Sequence, residues 1–301
     1  MGNIETMNEK YGIAGQVTFS AGQGDMPMVE VKNALGEASI GLQGAHVLGF
    51  QAAGEEPLIW MSPEATFAPG KSLRGGVPIC WPWFGPHASD SSLPGHGPAR
   101  TVEWMPVASQ SLDDGRTRVS FELVGTDKSR EQCGHDLNVQ LHVTVGCSLL
   151  LEMETTNKGR TPFTLGEAVH TYFLVGDVRL AHIDGLDGCE YIDKMDGGVR
   201  KQQQGAVNIS EETDRIYLGS GNRQEIIDPA MGRKIVIQSQ GSASTVVWNP
   251  WIETANKMGD LGPDGYLHML CVETVNAADD VVEIAPGASY RMAADYSSEA
   301  L

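Results

Sequence analysis

Short segments rich in β-branched and apolar residues recur along the whole chain, and they constrain the fold more than any other feature. They cover residues 16–20, 28–32, 117–124, 139–145, 149–155, 178–183, 234–238, 244–247, 267–272 and 281–284. Gly, Asn, Asp or Pro stands in nearly every gap, and 36 glycines are available for turns. Because this pattern is typical of antiparallel strands, we predict an all-β sandwich or barrel.

Helical signals are few and short. Ser62 and Pro63 could begin one helical turn, because serine accepts hydrogen bonds from free backbone amides and proline suits the first helical position. Residues 252–261 could form another short helix. The chain has 301 residues, which is long for one domain, but large all-β units reach this length. Since neither a repeat nor a soft linker divides the chain, we predict one domain over residues 1–301.

Charge and cysteine usage narrow the classes of partner. Asp and Glu number 39 against 21 Lys and Arg, so the formal net charge is −18. Such a surface repels nucleic acid and anionic lipid, and no apolar run approaches the ~20 residues of a membrane helix. The N-terminal residues lack the order of a signal peptide, and the five cysteines include no CxxC pair. We therefore expect a cytoplasmic protein with reduced thiols, and neither nucleic acid nor membrane as a partner.

The densest motif is RGGVPICWPWFGPH, residues 74–87. Its prolines and glycines exclude a regular helix or a central strand, so the segment predicts a stiff loop in which Gly75 and Gly76 allow a close backbone approach. The aromatic residues Trp81, Trp83 and Phe84 could offer flat apolar surfaces to a sugar. They could equally close one end of a sandwich.

A second constrained segment, LPGHGPAR at residues 93–100, carries His96 and Arg100. Together with Arg74 of the first motif, these side chains indicate an anion site, because guanidinium groups present fixed donors that match phosphate oxygens. The alternative is that both arginines form surface salt bridges in an acidic protein.

Two further residues are candidates for proton transfer. His170 lies inside the strand-like apolar run GEAVHTYFLVGD, and Glu273 follows the apolar segment 267–272. Glutamate is rarely buried without a partner or a function, and burial would raise its pKa toward the range of a useful base. The alternative for His170 is a hydrogen-bonded core histidine.

Six motifs taken in order, RGGVPICWPWFG, LPGHGPAR, HTYF, TDRIYL, VVWNPW and CVET, resemble the glucose-6-phosphate 1-epimerases, a branch of the aldose 1-epimerases. The resemblance runs from about residue 30 to residue 296. It implies a large antiparallel two-sheet β-sandwich, the galactose mutarotase-like supersandwich, with its active site in a cleft. It also implies that neither a metal nor an organic cofactor is required.

The same resemblance assigns roles to single residues. His170 of HTYF matches the acid of the family, and Glu273 of CVET matches its base. The binding residues that it implies are His96 and Asp214 for sugar hydroxyls or the ring oxygen, Arg74 and Arg100 for the phosphate, and Trp251 for a wall of the site. Two departures, Gly95 and Pro98, lie beside the expected phosphate site, where the family usually has a larger polar residue and a phenylalanine.

We therefore predict an isomerase that interconverts the α and β anomers of a hexose 6-phosphate, with glucose 6-phosphate as the expected substrate. The base would take the proton of the C1 hydroxyl while the acid protonates the ring oxygen. No nucleotide-binding fingerprint is present, and the reaction needs no redox step. We expect a monomer whose partner is a small sugar phosphate.

Three alternatives stay open at this point. The protein could act on unphosphorylated sugars, or it could be a carbohydrate-binding module without catalysis on the same fold. It could also be a metal-dependent jelly roll, although its eight histidines lack the close, paired spacing of metal ligands.

Overall fold

The computed structural model describes residues 3–123 and 132–301. Its strands are β1 (Val17–Ala21), β2 (Pro27–Lys32), β3 (Gly36–Gly41), β4 (His46–Ala52), β5 (Ile79–Cys80), β6 (Trp104–Ser111), β7 (Thr117–Leu123), β8 (Leu137–Val145), β9 (Leu149–Asn157), β10 (Phe163–Leu165), β11 (Glu167–Val169), β12 (Tyr172–Leu174), β13 (His182–Asp184), β14 (Glu190–Asp193), β15 (Val199–Gln202), β16 (Val207–Asn208), β17 (Thr213–Leu218), β18 (Arg223–Asp228), β19 (Arg233–Gln240), β20 (Ser244–Asn249), β21 (Met269–Asn276), β22 (Val282–Ile284) and β23 (Ser289–Ala300).

The strands form two large sheets and two smaller ones. The nine-stranded sheet has the order β16-β13-β18-β19-β23-β9-β8-β7-β6. The eight-stranded sheet has the order β15-β14-β17-β20-β21-β11-β5, and β12 also pairs with β21. A four-stranded sheet, β1 to β4, and the pair β10-β22 complete the set. Every strand pairing among the described residues is antiparallel.

Strand β21 shows how the eight-stranded sheet is covered on both faces. All eight of its residues are buried. Leu270 and Val272 belong to the main core, which also contains Ile235 and Tyr296 of the nine-stranded sheet. Because side chains alternate across a strand, Cys271 and its neighbours two positions along point to the opposite face. The main core therefore lies between the two large sheets, and a second face of the eight-stranded sheet is available for a site.

The described helices are short and capped by local chemistry. Helix α1 spans Ile4–Tyr11, α2 spans Trp251–Met258 and α3 spans Gly265–His268. Helix α2 begins where the side-chain oxygen of Asn249 accepts the N–H of Trp251 at 2.9 Å. It ends at Gly259, whose φ of 71° suits a left-handed cap. No helix of residues 3–123 and 132–301 is long and apolar enough to cross a membrane.

The predicted all-β class and antiparallel sandwich are confirmed, and most predicted strands agree with observed ones within a few residues. Segment 178–183 was predicted wrongly as a strand, because the chain turns there and only His182–Asp184 pairs. The carboxylate of Asp177 accepts the N–H of Arg179 at 2.9 Å and so stabilises a turn. The predicted strand end at Val124 lies outside the described residues, and the single domain stays a prediction.

The predicted helical turn at Ser62 is a β-turn instead. The hydroxyl of Ser62 accepts the N–H of Glu64 at 3.1 Å and donates to the backbone oxygen of Asp260 at 2.7 Å. This serine therefore links two loops rather than capping a helix.

Candidate active site

A cavity of about 280 Å³ opens on the eight-stranded sheet, on the face opposite the main core. Its lining contains six of the seven residues that the sequence singled out for the site, which are Arg74, His96, Arg100, His170, Asp214 and Glu273. The remaining lining residues are Phe84, Tyr172, Lys194, Val246, Trp248 and Met258. Residues that are far apart in the chain therefore meet in one place.

The register of the sheet explains this meeting. Asp214 on β17 pairs with Trp248 on β20, and Trp248 pairs with Cys271 on β21. In the next row on the same face, Val246 pairs with Glu273. Glu273 thus lies inside β21, and the expectation that it would follow the strand is corrected. The strand continues past Glu273, because the side chain of Glu273 points into the cavity rather than into the core.

His170 lies in the break between β11 and β12, both of which pair with β21. Its expected position inside a continuous strand is therefore corrected as well. The break places its Nε2 atom 3.4 Å from Oε1 of Glu273. Both side chains are enclosed, with 12% of His170 and 1% of Glu273 exposed.

Burial sets the protonation of this pair. Loss of solvent holds the pKa of the His170 imidazole well below its ordinary value, and the positive charges of Arg100 and Arg74 lower it further. Burial likewise raises the pKa of the Glu273 carboxyl well above its ordinary value, against the opposing charge of Lys194. Burial therefore opposes a charge on either member of the pair.

Two buried atoms of the pair have no hydrogen-bond partner among the described residues. These atoms are Nδ1 of His170 and Oε2 of Glu273. Unpaired buried polar atoms are costly and tend to occur where function requires them. The pair is therefore a candidate for a functional role.

Aromatic rings fix the orientation of the imidazole. Tyr172 stacks on His170 with the ring planes 9° apart and the centroids separated by 5.1 Å. Trp248 meets the same imidazole edge-on, with centroids 6.0 Å apart. Because the ring is held on two sides, its nitrogen atoms have a defined direction.

The two motif-rich loops, residues 74–87 (the first loop) and 93–100 (the second loop), are joined at His96. Its backbone N–H donates to the oxygen of Gly85 at 2.8 Å, and its backbone oxygen accepts the N–H of Trp81 at 3.2 Å. His96 has a φ of 66°, a conformation that residues other than glycine rarely adopt. The adjoining Gly97 has a φ of 72°, and a Cβ there would lie 2.0 Å from the Trp81 oxygen.

The imidazole of His96 is neutral and its tautomer is defined. Burial lowers its pKa to about 3, and the nearby charges of Arg100 and Lys194 act in the same direction. Its Nδ1 atom accepts the backbone N–H of Gly85 at 3.3 Å, so the proton of the neutral ring resides on Nε2. His96 therefore has one N–H donor left for a ligand.

Arg74 is held in place from two sides. Its Nε donates to Oδ1 of Asp260 at 2.9 Å, and Nη1 donates to the hydroxyl of Tyr172 at 3.0 Å. A guanidinium has five N–H donors, so donors on its free edge remain for a ligand. Asp260 balances the charge of Arg74 and fixes its orientation.

Arg100 differs from Arg74 in its partners. Its Nη2 donates to the backbone oxygen of Gly95 at 2.9 Å, and no carboxylate of residues 3–123 and 132–301 forms an ion pair with it. Lys194 pairs with Asp214 at 3.3 Å. Among the described residues, Arg100 is thus the cation of this cavity whose charge is left unbalanced.

Lys194, Tyr172 and Trp248 were not predicted as site residues. Lys194 follows β14, whose pairing with β17 brings it beside Asp214. Trp248 could have been predicted from the sequence, because Val246 and Trp248 lie two positions apart on β20 and therefore point to the same face of the sheet. The predicted wall residue Trp251 is not among the described residues that line the cavity. It begins helix α2, and its ring packs against Tyr266 with centroids 5.5 Å apart.

The aromatic residues of the first loop have different environments. Trp81 is buried in the main core, and its indole donates to the hydroxyl of Thr155 at 3.0 Å. Phe84 lines the cavity, while the indole of Trp83 donates to the oxygen of Pro94 at 3.0 Å. Trp81 therefore belongs to the core and Phe84 to the cavity wall, and contact of these rings with a sugar stays a prediction.

Metal-ligating atom types also meet here. One ligand atom each from His170, Cys271 and Glu273 lies within 4.8 Å of the other two. Burial raises the pKa of the Cys271 thiol well above its ordinary value, which opposes the thiolate that a metal would require. The expectation of a site without a metal stays a prediction.

Comparisons with known proteins show the family of the chain. The aldose 1-epimerase family model matches residues 27–297. A protein of Escherichia coli K12 named "Putative glucose-6-phosphate 1-epimerase" is 36% identical over 85% of each chain. The crystal structure of a "putative mutarotase" from Salmonella typhimurium is 33% identical and superimposes with a TM-score of 0.88, covering 95% of this chain and 94% of that one.

A more distant structure supports the fold alone. A galactose mutarotase-like protein from Lactobacillus casei is 13% identical, with a TM-score of 0.71, and covers 90% of this chain and 100% of that one. The matched family region contains every residue that lines the cavity. The chain belongs to the aldose 1-epimerase family.

Proposed function

We propose that this protein is a hexose-6-phosphate 1-epimerase, with glucose 6-phosphate as its first candidate substrate. One observation carries the proposal. An enclosed histidine–glutamate pair, 3.4 Å apart, lines the same cavity as Arg100, which has no carboxylate partner among the described residues. The relatives named for this activity support the choice of substrate.

The pair suits ring opening because both reacting oxygens are bonded to the same carbon, C1. Glu273 as a carboxylate takes the proton of the C1 hydroxyl, and His170 as an imidazolium protonates the ring oxygen while the bond from C1 to that oxygen breaks. The free aldehyde then rotates about C1–C2, and ring closure reverses both proton transfers. Two groups only a few ångströms apart can reach both oxygens at once.

The other lining residues would orient the sugar. The Nε2–H of His96 can donate to a hydroxyl or to the ring oxygen, and the carboxylate of Asp214 can accept from hydroxyls. Trp248 and Phe84 supply apolar surface at the cavity wall. Fixed polar groups of this kind place the reacting atoms and exclude water.

The phosphate would lie against Arg74 and Arg100. Arg74 offers a preorganised edge, because Asp260 and Tyr172 already hold it. Arg100 supplies the unbalanced charge that a dianion would neutralise. The acidic protein as a whole, with a net charge of −18, repels anions, so this local positive charge is needed for binding a sugar phosphate.

The test compares Arg100→Ala with the wild type on glucose 6-phosphate and on free glucose. We expect kcat/KM to fall about 100-fold for the phosphate ester, the size of a lost charge-assisted contact, and less than about threefold for glucose. The matched control is Arg223→Ala, since Arg223 pairs with Glu225 on the surface. An equal loss on both sugars would reject the phosphate role of Arg100.

Location and assembly are also part of this proposal. A cytoplasmic location fits the reduced cysteines, which are free in the described residues, and the net charge of the chain. A monomer is the assembly that we expect.

A further inference from the structure

We propose that the phosphate of the bound substrate moves a proton from Glu273 to His170 and so converts a resting neutral pair into the reactive ion pair. The inference rests on the proposed function, because it requires a phosphate at Arg74 and Arg100. It is based on the positions of the charged side chains around His170 and Glu273, two enclosed groups whose Nε2 and Oε1 atoms lie 3.4 Å apart. The substrate's phosphate would then activate the enzyme as well as bind to it.

The proton balance is simple. The O–H bond of the Glu273 carboxyl breaks and the N–H bond at Nε2 of His170 forms, over a present separation of 3.4 Å. The net charge of the pair is zero before and after the transfer, so no proton needs to come from solvent. Such pairs titrate together rather than one by one.

The resting form is unsuited to the roles that the reaction requires. Burial disfavours charge on both groups, lowering the pKa of His170 and raising that of Glu273. A protonated carboxyl cannot accept the C1 hydroxyl proton, and a neutral imidazole is a weak acid. The pair must therefore become an imidazolium and a carboxylate before the ring opens.

The cations around the pair are distributed unevenly. Arg100 and Arg74 oppose a positive charge on His170, whereas Lys194 and Arg100 favour a negative charge on Glu273. A dianion bound to the two arginines cancels the opposition of both to the imidazolium, whereas the carboxylate loses the support of Arg100 alone. Lys194 continues to favour the carboxylate, so the balance shifts toward the ion pair.

The remaining titratable neighbours do not reverse this direction. His96 is neutral near pH 7 because burial lowers its pKa to about 3. Burial raises the pKa values of Tyr172 and Cys271, so both stay protonated and uncharged. Asp214 raises the pKa of Glu273, but Lys194, which lies 3.3 Å from Asp214, lowers it by more.

A tetrahedral dianion supplied separately from the sugar tests the idea. The sugar is D-xylose, an aldopentose that lacks C6 and therefore leaves the phosphate position free. The dianion is inorganic sulfate, which barely titrates near pH 7 and so adds little buffer catalysis of its own. Potassium chloride at equal ionic strength is the salt control.

We expect sulfate to raise kcat for D-xylose anomerisation saturably, by about tenfold, the rate equivalent of ~1.4 kcal/mol. Chloride should give no such rise. Arg223→Ala should show the wild-type response to sulfate, whereas Arg100→Ala should lose it. Infrared difference spectra should show that sulfate removes a protonated-carboxyl band, and Glu273→Gln should lack that band altogether.

Other results would overturn the inference in distinguishable ways. Sulfate could compete with glucose 6-phosphate yet leave kcat for D-xylose unchanged. The phosphate would then contribute binding energy alone, and the proposed function would stand without this activation. If sulfate neither competes nor activates, and the wild type treats glucose and its 6-phosphate alike, both the inference and the proposed phosphate site are wrong.

Discussion

Tyr172 contacts His170 and Arg74 with different parts of one side chain. Its ring lies parallel to the imidazole at 5.1 Å between centroids, and its hydroxyl accepts a hydrogen bond from Nη1 of Arg74 at 3.0 Å. The ring therefore orients the proposed acid, and the hydroxyl orients a proposed phosphate ligand. Substitution can separate these two contributions.

Tyr172→Phe keeps the ring and removes the hydroxyl. We expect kcat/KM for glucose 6-phosphate to fall about tenfold, as for one lost hydrogen bond to a charged group, with glucose nearly unaffected. Tyr172→Leu removes the ring as well, so kcat should fall for both sugars. Steady-state kinetics with both substrates checks this, and equal behaviour of the two variants would argue against separate roles.

His170→Ala and Glu273→Gln should each lower kcat about 10²–10⁴-fold, the usual contribution of a positioned acid or base. Melting temperatures and circular dichroism should show that both variants still fold. The control is His182→Ala, because His182 lies on β13 in the nine-stranded sheet and does not line the described cavity. Wild-type kcat in either of the first two variants would remove that residue from the mechanism.

Glu167 predicts an unusual pH dependence of stability. The residue is fully buried, and its Oε2 accepts from the hydroxyl of Thr155 at 3.3 Å. Burial raises the pKa of Glu167 from 4.5 to about 8, so the folded state binds the proton more tightly than the unfolded state. Its contribution to stability is therefore complete below pH 4.5 and is lost as the pH rises to about 8.

Glu167→Gln removes this titration. We expect the variant to be more stable than the wild type at pH 8, on the order of 1–3 kcal/mol, with the difference shrinking toward pH 5. Urea unfolding at both pH values measures it, with Glu253→Gln on the exposed surface as the control. Parallel pH profiles for wild type and Glu167→Gln would contradict the assignment.

Gly97→Ala should disrupt the junction of the two loops. A Cβ at Gly97 would lie 2.0 Å from the Trp81 oxygen, whereas Gly219 has a similar positive φ of 61° and nothing within 4 Å. Gly219→Ala should therefore cost only the left-handed strain of about 1 kcal/mol. Gly97→Ala should cost ~2–4 kcal/mol and also lower kcat, because it displaces His96. Equal unfolding free energies for the two variants would refute this.

Sequence reasoning located the loops of the site because their restrictions are local. Proline and glycine around Arg74 and His96 exclude regular structure, and the ordered motifs fix which residues belong together. His170 and Glu273, predicted as acid and base, both line the cavity, although their places relative to the strands differ from the prediction; their catalytic roles stay a prediction. A polar residue usually marks the end of an apolar strand, but a strand that passes beneath a cavity can carry one in its middle. The sequence alone does not distinguish these two cases.

The missed residues depend on strand register. Lys194 reaches Asp214 only because Asp193 of β14 pairs with Arg215 of β17. Asp260 meets Arg74 across 186 residues of chain. No local sequence pattern indicates either of these two contacts. Both depend on the order of the strands in the sheet, which is decided by the packing of the whole core.

The most direct test of the central claim is anomer exchange measured by NMR, comparing glucose 6-phosphate with free glucose and galactose. We expect strong acceleration for the phosphate ester and much weaker acceleration for the free sugars. Equal acceleration for all three would retain the acid–base pair but contradict the phosphate specificity. Binding of the sugars with no acceleration would contradict catalysis itself and identify a carbohydrate-binding protein.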